Sequence, residues 1–142
     1  MKNQLRLIAA ILLFASCSST RKDAPLNMVD VLASSASDTT QFKIDDLLNV
    51  DDYDSFLFVP PYTVLEGAER HLGVKLELIE ESGIEFRDDV YLLCLLKENK
   101  ITDWYFLTRD SINFEDVSNF RKYERKHVLS LIYNSTGFEL LD

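Results

Sequence analysis

Carboxylates, two histidines, a thiol and a run of cations are the residues with chemical potential, and their spacing limits what each can do. Asp45, Asp46, Asp51, Asp52 and Asp54 crowd oxygen ligands into ten positions, a density that suits a hard cation such as calcium. The run lacks the glycine and the closing glutamate of an EF-hand loop, so a solvated, helix-capping acidic stretch is the fuller account. Glu85 with Asp88 and Asp89 offers an acid and base pair, but carboxylates flanking a strand start commonly keep an edge soluble. His71 and His127 are the only histidines, and neither belongs to a zinc-protease motif. His71 falls at the edge of a helical apolar face, where a packed ring is expected rather than a ligand. Cys94 lies in the apolar run Val90 to Leu96, the setting of a small buried hydrophobe rather than a nucleophile.

Four glycines occur, Gly67, Gly73, Gly83 and Gly137, no two within five residues of each other. A phosphate-cradling loop and a nucleophile elbow both need closer glycines. The sequence therefore assigns no catalytic residue, no metal ligand and no cofactor. Two candidate binding features remain. Arg121, Lys122, Arg125 and Lys126, beside His127, concentrate positive charge and suit an anionic surface or an acidic partner, with a plain solvated face as the alternative. Trp104 and Phe106 are expected to share one face of a strand while Ile101, Tyr105 and Leu107 share the other. With few helices to cover both faces, Trp104 and Phe106 are candidate anchors for a partner.

The elements that must position these groups are read from periodicity and breakers. Phe42, Ile44, Leu47 and Leu48 suggest a short helix or turn where the folded part begins. Ser55 to Val59 is a strand stopped by Pro60-Pro61. Thr63 and Glu66 have capping-box spacing ahead of a helix with Val64, Leu65, Ala68 and Leu72 on one face, and Gly73 supplies a left-handed stop. Alternation over Val74, Leu76 and Leu78 favours a strand. Val90 to Leu96 and Ile101 to Thr108 form a β-hairpin across Lys97-Glu98-Asn99-Lys100. Phe114 to Lys126 is expected as a helix, although its aromatics drift off one face. Val128 to Tyr133 and Phe138 to Leu141 close the chain as a pair of strands around Asn134-Ser135-Thr136-Gly137. The sum is a small single α+β domain with a largely antiparallel sheet and one or two helices, spanning residues 41 to 142.

The front end is different in kind. Lys2 and Arg6 precede an unbroken apolar run from Leu7 to Ala15, which is too short to span a bilayer. Phe14-Ala15-Ser16-Cys17 then resembles the lipobox of bacterial lipoproteins, in which two small residues precede a lipid-modified cysteine. The resemblance covers residues 1 to 20 and implies a signal peptide over residues 1 to 16, acylation of Cys17, and a palmitate-type lipid anchor in the cell envelope. Ser18 resembles the pattern that directs such proteins to the outer membrane in a diderm bacterium. Phe14 stands where the pattern more often has Leu, and an ordinary secretory signal cut near Ala15 or Ser16 remains the alternative. Ser18 to Thr40, rich in Ser, Thr, Asp and Ala, reads as a tether.

Loss of Lys2 and Arg6 with the signal would leave 13 basic and 24 acidic side chains, a formal charge of −11. That balance is expected to repel nucleic acid and anionic lipid alike. Cys17 carrying lipid leaves Cys94 without a partner for an internal disulfide. The sequence thus leads to a non-enzymatic, membrane-anchored binding or accessory module with a protein or envelope-component partner. A small hydrolytic or metal-dependent enzyme and an immunity-type inhibitor stand as alternatives.

Overall fold

A computed structural model describes residues 40–109, 120–134 and 137–141 of the chain. The expected signal peptide with Cys17, the tether up to residue 39 and the first part of the expected Phe114 to Lys126 helix lie outside the described residues.

The chain enters through β1 (Thr40–Phe42) and one turn of helix, α1 (Ile44–Leu47), whose Ile44 and Leu47 point inward. β2 (Ser55–Val59) follows, then α2 (Leu65–Leu72), two 3-10 turns (Glu77–Ser82 and Ile84–Phe86), and the hairpin β3 (Val90–Lys97) and β4 (Lys100–Thr108). β5 (Lys122–Glu124), β6 (Leu129–Asn134) and β7 (Gly137–Leu141) complete the order. The strands form two antiparallel sheets, one of four strands in the order β4-β3-β2-β5 and one of three in the order β1-β6-β7. This is the small α+β domain that the sequence implied.

The four-stranded sheet is buried on both faces. On one side Phe56, Phe58, Tyr91, Leu93, Leu95, Leu107 and Tyr123 pack against Ile44 and Leu47 of α1 and against Phe42 and Leu129 of the smaller sheet. On the other, Leu57, Val59, Leu92, Cys94 and Leu96 pack against Leu65 and Ala68 of α2 and against Ile79 and Ile84 of the 3-10 turns. Successive residues of a strand face opposite ways. A strand covered on both faces therefore reads as a continuous apolar run, which is why β2 and β3 lack polar alternation.

The hairpin is tighter than expected. Only Glu98 and Asn99 lie between the strands, with φ of 50° and 62°. Two successive left-handed residues make the turn whose twist matches that of the strands.

β4 carries a bulge. Leu96 pairs with Ile101 but Leu95 pairs with Asp103, so Thr102 is the extra residue. The extra residue moves Ile101 onto the face of Trp104 and Phe106, and all three pack in the core beneath α2. The expected grouping of Ile101 with Tyr105 and Leu107 is thereby corrected. The expectation of an open face is corrected with it, because Trp104 is 6% exposed and Phe106 5%. The sequence showed one clear helix, and the two 3-10 turns supply the missing cover.

Those turns also replace the strand expected over Val74 to Leu78. Lys75 makes one isolated bridge to Lys100. The Leu76 N–H then donates to the Glu69 carboxylate at 2.7 Å, ending the extended run. Val74, Leu76 and Ile79 are buried, whereas Leu78 is half exposed. The helix expected through Lys126 is likewise corrected over Lys122–Glu124, where the chain is a strand paired with β2. Tyr123 stacks on Phe56 with centroids 5.2 Å apart, so its aromatic side chain serves a sheet face rather than a helical one.

Candidate functional site

The two ends of the four-stranded sheet differ in chemistry. At the end where β2 begins, the acidic stretch is drawn into structural pairs. Arg125 donates through Nε to both Asp45 oxygens at 3.0 and 2.9 Å, and through Nη1 to the Asp51 carbonyl at 2.6 Å. Its guanidinium lies 4.7 Å from the Tyr53 ring, and the Tyr53 hydroxyl donates to Asp45 at 2.5 Å. Burial alone would raise the Asp45 carboxyl, but the hydrogen bonds from Arg125 and Tyr53 outweigh it and hold the group below the usual carboxylate range. Burial and the Asp45 charge push the Tyr53 phenol well above its ordinary value. Asp54 accepts from the Glu98 N–H at 2.8 Å and from the Ser55 hydroxyl at 2.7 Å, and those bonds lower its pKa.

The remaining acids follow suit. Asp46 accepts from the Lys43 N–H at 3.0 Å, and Asp52 binds Lys97. Among the described residues, no three His, Cys, Asp or Glu side chains converge on a point where a cation would sit. Asp45 and Asp51 share Arg125, while Asp46, Asp52 and Asp54 are bound to Lys43, Lys97 and the Glu98 N–H, so the carboxylates of residues 45 to 54 are held by separate partners rather than turned to a common point.

The basic cluster is dispersed by the alternation of β5. Arg121 lies over the Tyr123 ring at 4.6 Å, Arg125 turns toward Asp45, and Lys122 donates to Asn99 on the hairpin turn at 2.6 Å. Of these four residues Arg121, Lys122 and Lys126 are exposed, while Arg125 is drawn into the pairs ahead of β2.

His71 is exposed on α2 rather than packed. Cys94 is fully buried, and burial pushes its thiol far above the ordinary range, as befits a core hydrophobe. Beside α2, a shallow groove of about 420 Å³ is lined by Glu66, Glu69, Arg70, Gly73, Val74 and Lys75. Glu66 and Arg70 pair along α2 at 2.8 Å, and the groove's lining holds no nucleophile or general-base pair.

The opposite end of the sheet holds a group that sequence reasoning missed. Pro60-Pro61 stops β2, and Tyr62 then adopts φ 57°, a left-handed conformation that a residue with a Cβ rarely takes. Its N–H is shared between the Ile84 carbonyl at 3.0 Å and the Arg87 carbonyl at 3.2 Å. Three residues on, the Leu65 N–H at the start of α2 donates to the Glu85 carboxylate at 2.9 Å. The segment before α2 is thus riveted to the second 3-10 turn. Tyr62 is 60% exposed, Val64 66% and Phe86 85%.

No family model, curated protein or solved structure matches this chain. The site therefore stands on its own geometry.

The signal for this apolar group was present in part. Tyr62 follows two prolines, and Phe86 stands isolated between Glu85 and Arg87. Neither fits the apolar period of an element, so each is an aromatic without a place in the core. The capping assignment hid the rest. Thr63 donates to the Pro60 carbonyl at 2.6 Å instead of capping α2, and that role passes to Glu85, twenty residues away.

Proposed function

We propose that the chain is a cell-envelope lipoprotein, anchored through acylated Cys17, whose small domain works by binding rather than by catalysis. The anchoring rests on the sequence Phe14-Ala15-Ser16-Cys17 after a short apolar run. The observation that carries the binding role is the exposed group Tyr62, Val64 and Phe86. The backbone hydrogen bonds from Tyr62 to Ile84 and Arg87 bring these positions to one end of the sheet, and exposed apolar groups at one end suit a contact site. The left-handed Tyr62 supports the same reading, because local backbone strain collects where a surface is used.

Intact mass of the membrane-fraction protein tests the anchor. The expected wild-type chain has lost residues 1 to 16 and gained acyl mass, whereas Cys17→Ala does neither. A chain that is cut but carries no acyl mass would make the domain a free exported one. The binding role is tested by crosslinking in intact cells through a photoreactive residue at position 86. Adducts that form there and not at position 126 support it, and equal labelling at both positions refutes it.

A further inference from the structure

We infer that the surface bound by Tyr62, Val64 and Phe86 is the lipid bilayer itself, so that the domain rests on the membrane by this end. The inference depends on the anchoring reading above and deepens it. Size decides first between a bilayer and a folded partner. Three partly exposed side chains offer roughly 300 Å² of apolar area, well below the roughly 800 Å² per partner that a stable protein interface buries. A bilayer reached through a tether needs far less, because attachment raises the local concentration and only a second, weak signal is required. Twenty-two residues, 18 to 39, separate Cys17 from β1, and at up to about 3.3 Å each their contour length is enough for a face of a small domain to touch the surface.

The chemistry of the group fits the same occupant. Tyrosine is favoured at the membrane interface, where its ring lies in the apolar layer and its hydroxyl reaches water. Phe86 and Val64, exposed at the same end, add side chains without polar atoms of their own. The surrounding charges favour a neutral lipid surface. Arg87 is bound to Asp89 at 2.5 Å, Arg70 to Glu66, and Glu85 is committed to α2, while Glu80, Glu81 and Asp88 are exposed around the same turns, so the charge left over at this end is negative and disfavours an anionic lipid surface. Docked this way, the pair cluster around Arg125 and the exposed Lys126 point away from the membrane, because Arg125 bonds to Asp54 ahead of β2 while Tyr62 follows its far end.

Full-length protein, acylated at Cys17 by mass and reconstituted in phosphatidylcholine vesicles, provides the test. Phe86→Cys and Lys126→Cys each receive an environment-sensitive fluorophore. Cys94 is buried and Cys17 is occupied by lipid, so one thiol reacts in each variant. Brominated acyl chains are expected to quench the label at position 86 at least threefold more than that at 126. Adding Tyr62→Ser and Val64→Ser is expected to remove most of that difference, and phosphatidylglycerol is expected to lower it rather than raise it. Equal quenching at both positions on acylated protein overturns this inference alone. A blue shift at position 86 that grows with protein density but resists bromolipid assigns the surface to a second copy and also overturns it. Absence of acyl mass overturns the anchoring reading and this inference together.

Discussion

Replacing Trp104 with alanine separates a core residue from a surface anchor. A tryptophan buries about 200 Å², and at about 25 cal/mol per Å² its removal costs about 5 kcal/mol before the retained Cβ is discounted. Trp104 is 6% exposed and meets Phe106 edge to face with centroids 5.0 Å apart, a contact adding about 1 kcal/mol. Aromatic-to-alanine changes in cores cost about 3 to 5 kcal/mol. Small domains have about 5 to 15 kcal/mol in all, so Trp104→Ala is expected to remove a large share of the total. With a urea m-value of about 1 to 2 kcal/mol per M, the midpoint falls by about 2 to 4 M. Far-UV circular dichroism is the suitable readout because Trp104 is the only tryptophan. Phe86→Ala, at an 85% exposed position, is the internal control and is expected to shift stability by no more than about 0.5 kcal/mol. A Trp104→Ala loss below about 1 kcal/mol at unchanged m would refute the packing described for this face.

Glu85→Ala is expected to cost about 1 kcal/mol by leaving the Leu65 N–H without its cap, whereas Glu85→Gln retains part of it; urea midpoints of both variants check this. Gly73→Ala forces a Cβ into φ 65° with no neighbouring atom within 4 Å, so its expected cost of about 1 kcal/mol is conformational alone and should appear in thermal melts without loss of helix signal. Asp45 and Asp54 have lowered folded pKa values, so their contribution is complete above the ordinary aspartate value of about 3.9 and lost as pH falls toward their folded values. Urea midpoints should therefore drop between about pH 5 and 3, and Asp45→Asn should flatten that drop. Burial and the bond to Asp103 push the Tyr105 phenol up to about 12, favouring its neutral form. Its contribution is present below the ordinary tyrosine value of about 10 and lost as pH rises through the folded value. Absorbance at the phenolate band should show wild type ionising later than Tyr105→Phe by one late-titrating tyrosine.

Short-range signals were legible and long-range ones were not. Pro60-Pro61 and Gly73 ended β2 and α2 where the sequence said they would, because each acts through its own backbone. The hairpin was legible for the same reason, as were the pairing of β6 with β7 and the burial of Cys94. The bulge at Thr102 was not, since one inserted residue alters facing without altering composition. Nor were the 3-10 turns, because Val74, Leu76 and Leu78 alternate in the sequence while the residues buried from there on are Leu76, Ile79 and Ile84. The candidate surface was hidden for a further reason. Phe86 looks like any lone aromatic until Tyr62, 24 positions earlier, is hydrogen-bonded to the same turn.

The central sheet is a wall shared by two cores, and this governs how the domain comes apart. Phe56 and Leu57 are neighbours in β2 yet belong to opposite cores, as do Leu93 and Cys94 in β3. Releasing α2 and the 3-10 turns strips cover from strands whose reverse sides still hold α1 and the smaller sheet. Neither half has a wall of its own to fall back on, so damage on one side is transmitted through the backbone to the other. The domain should therefore melt in one concerted step, with amide protons of β2 and β3 exchanging only through the opening of the whole.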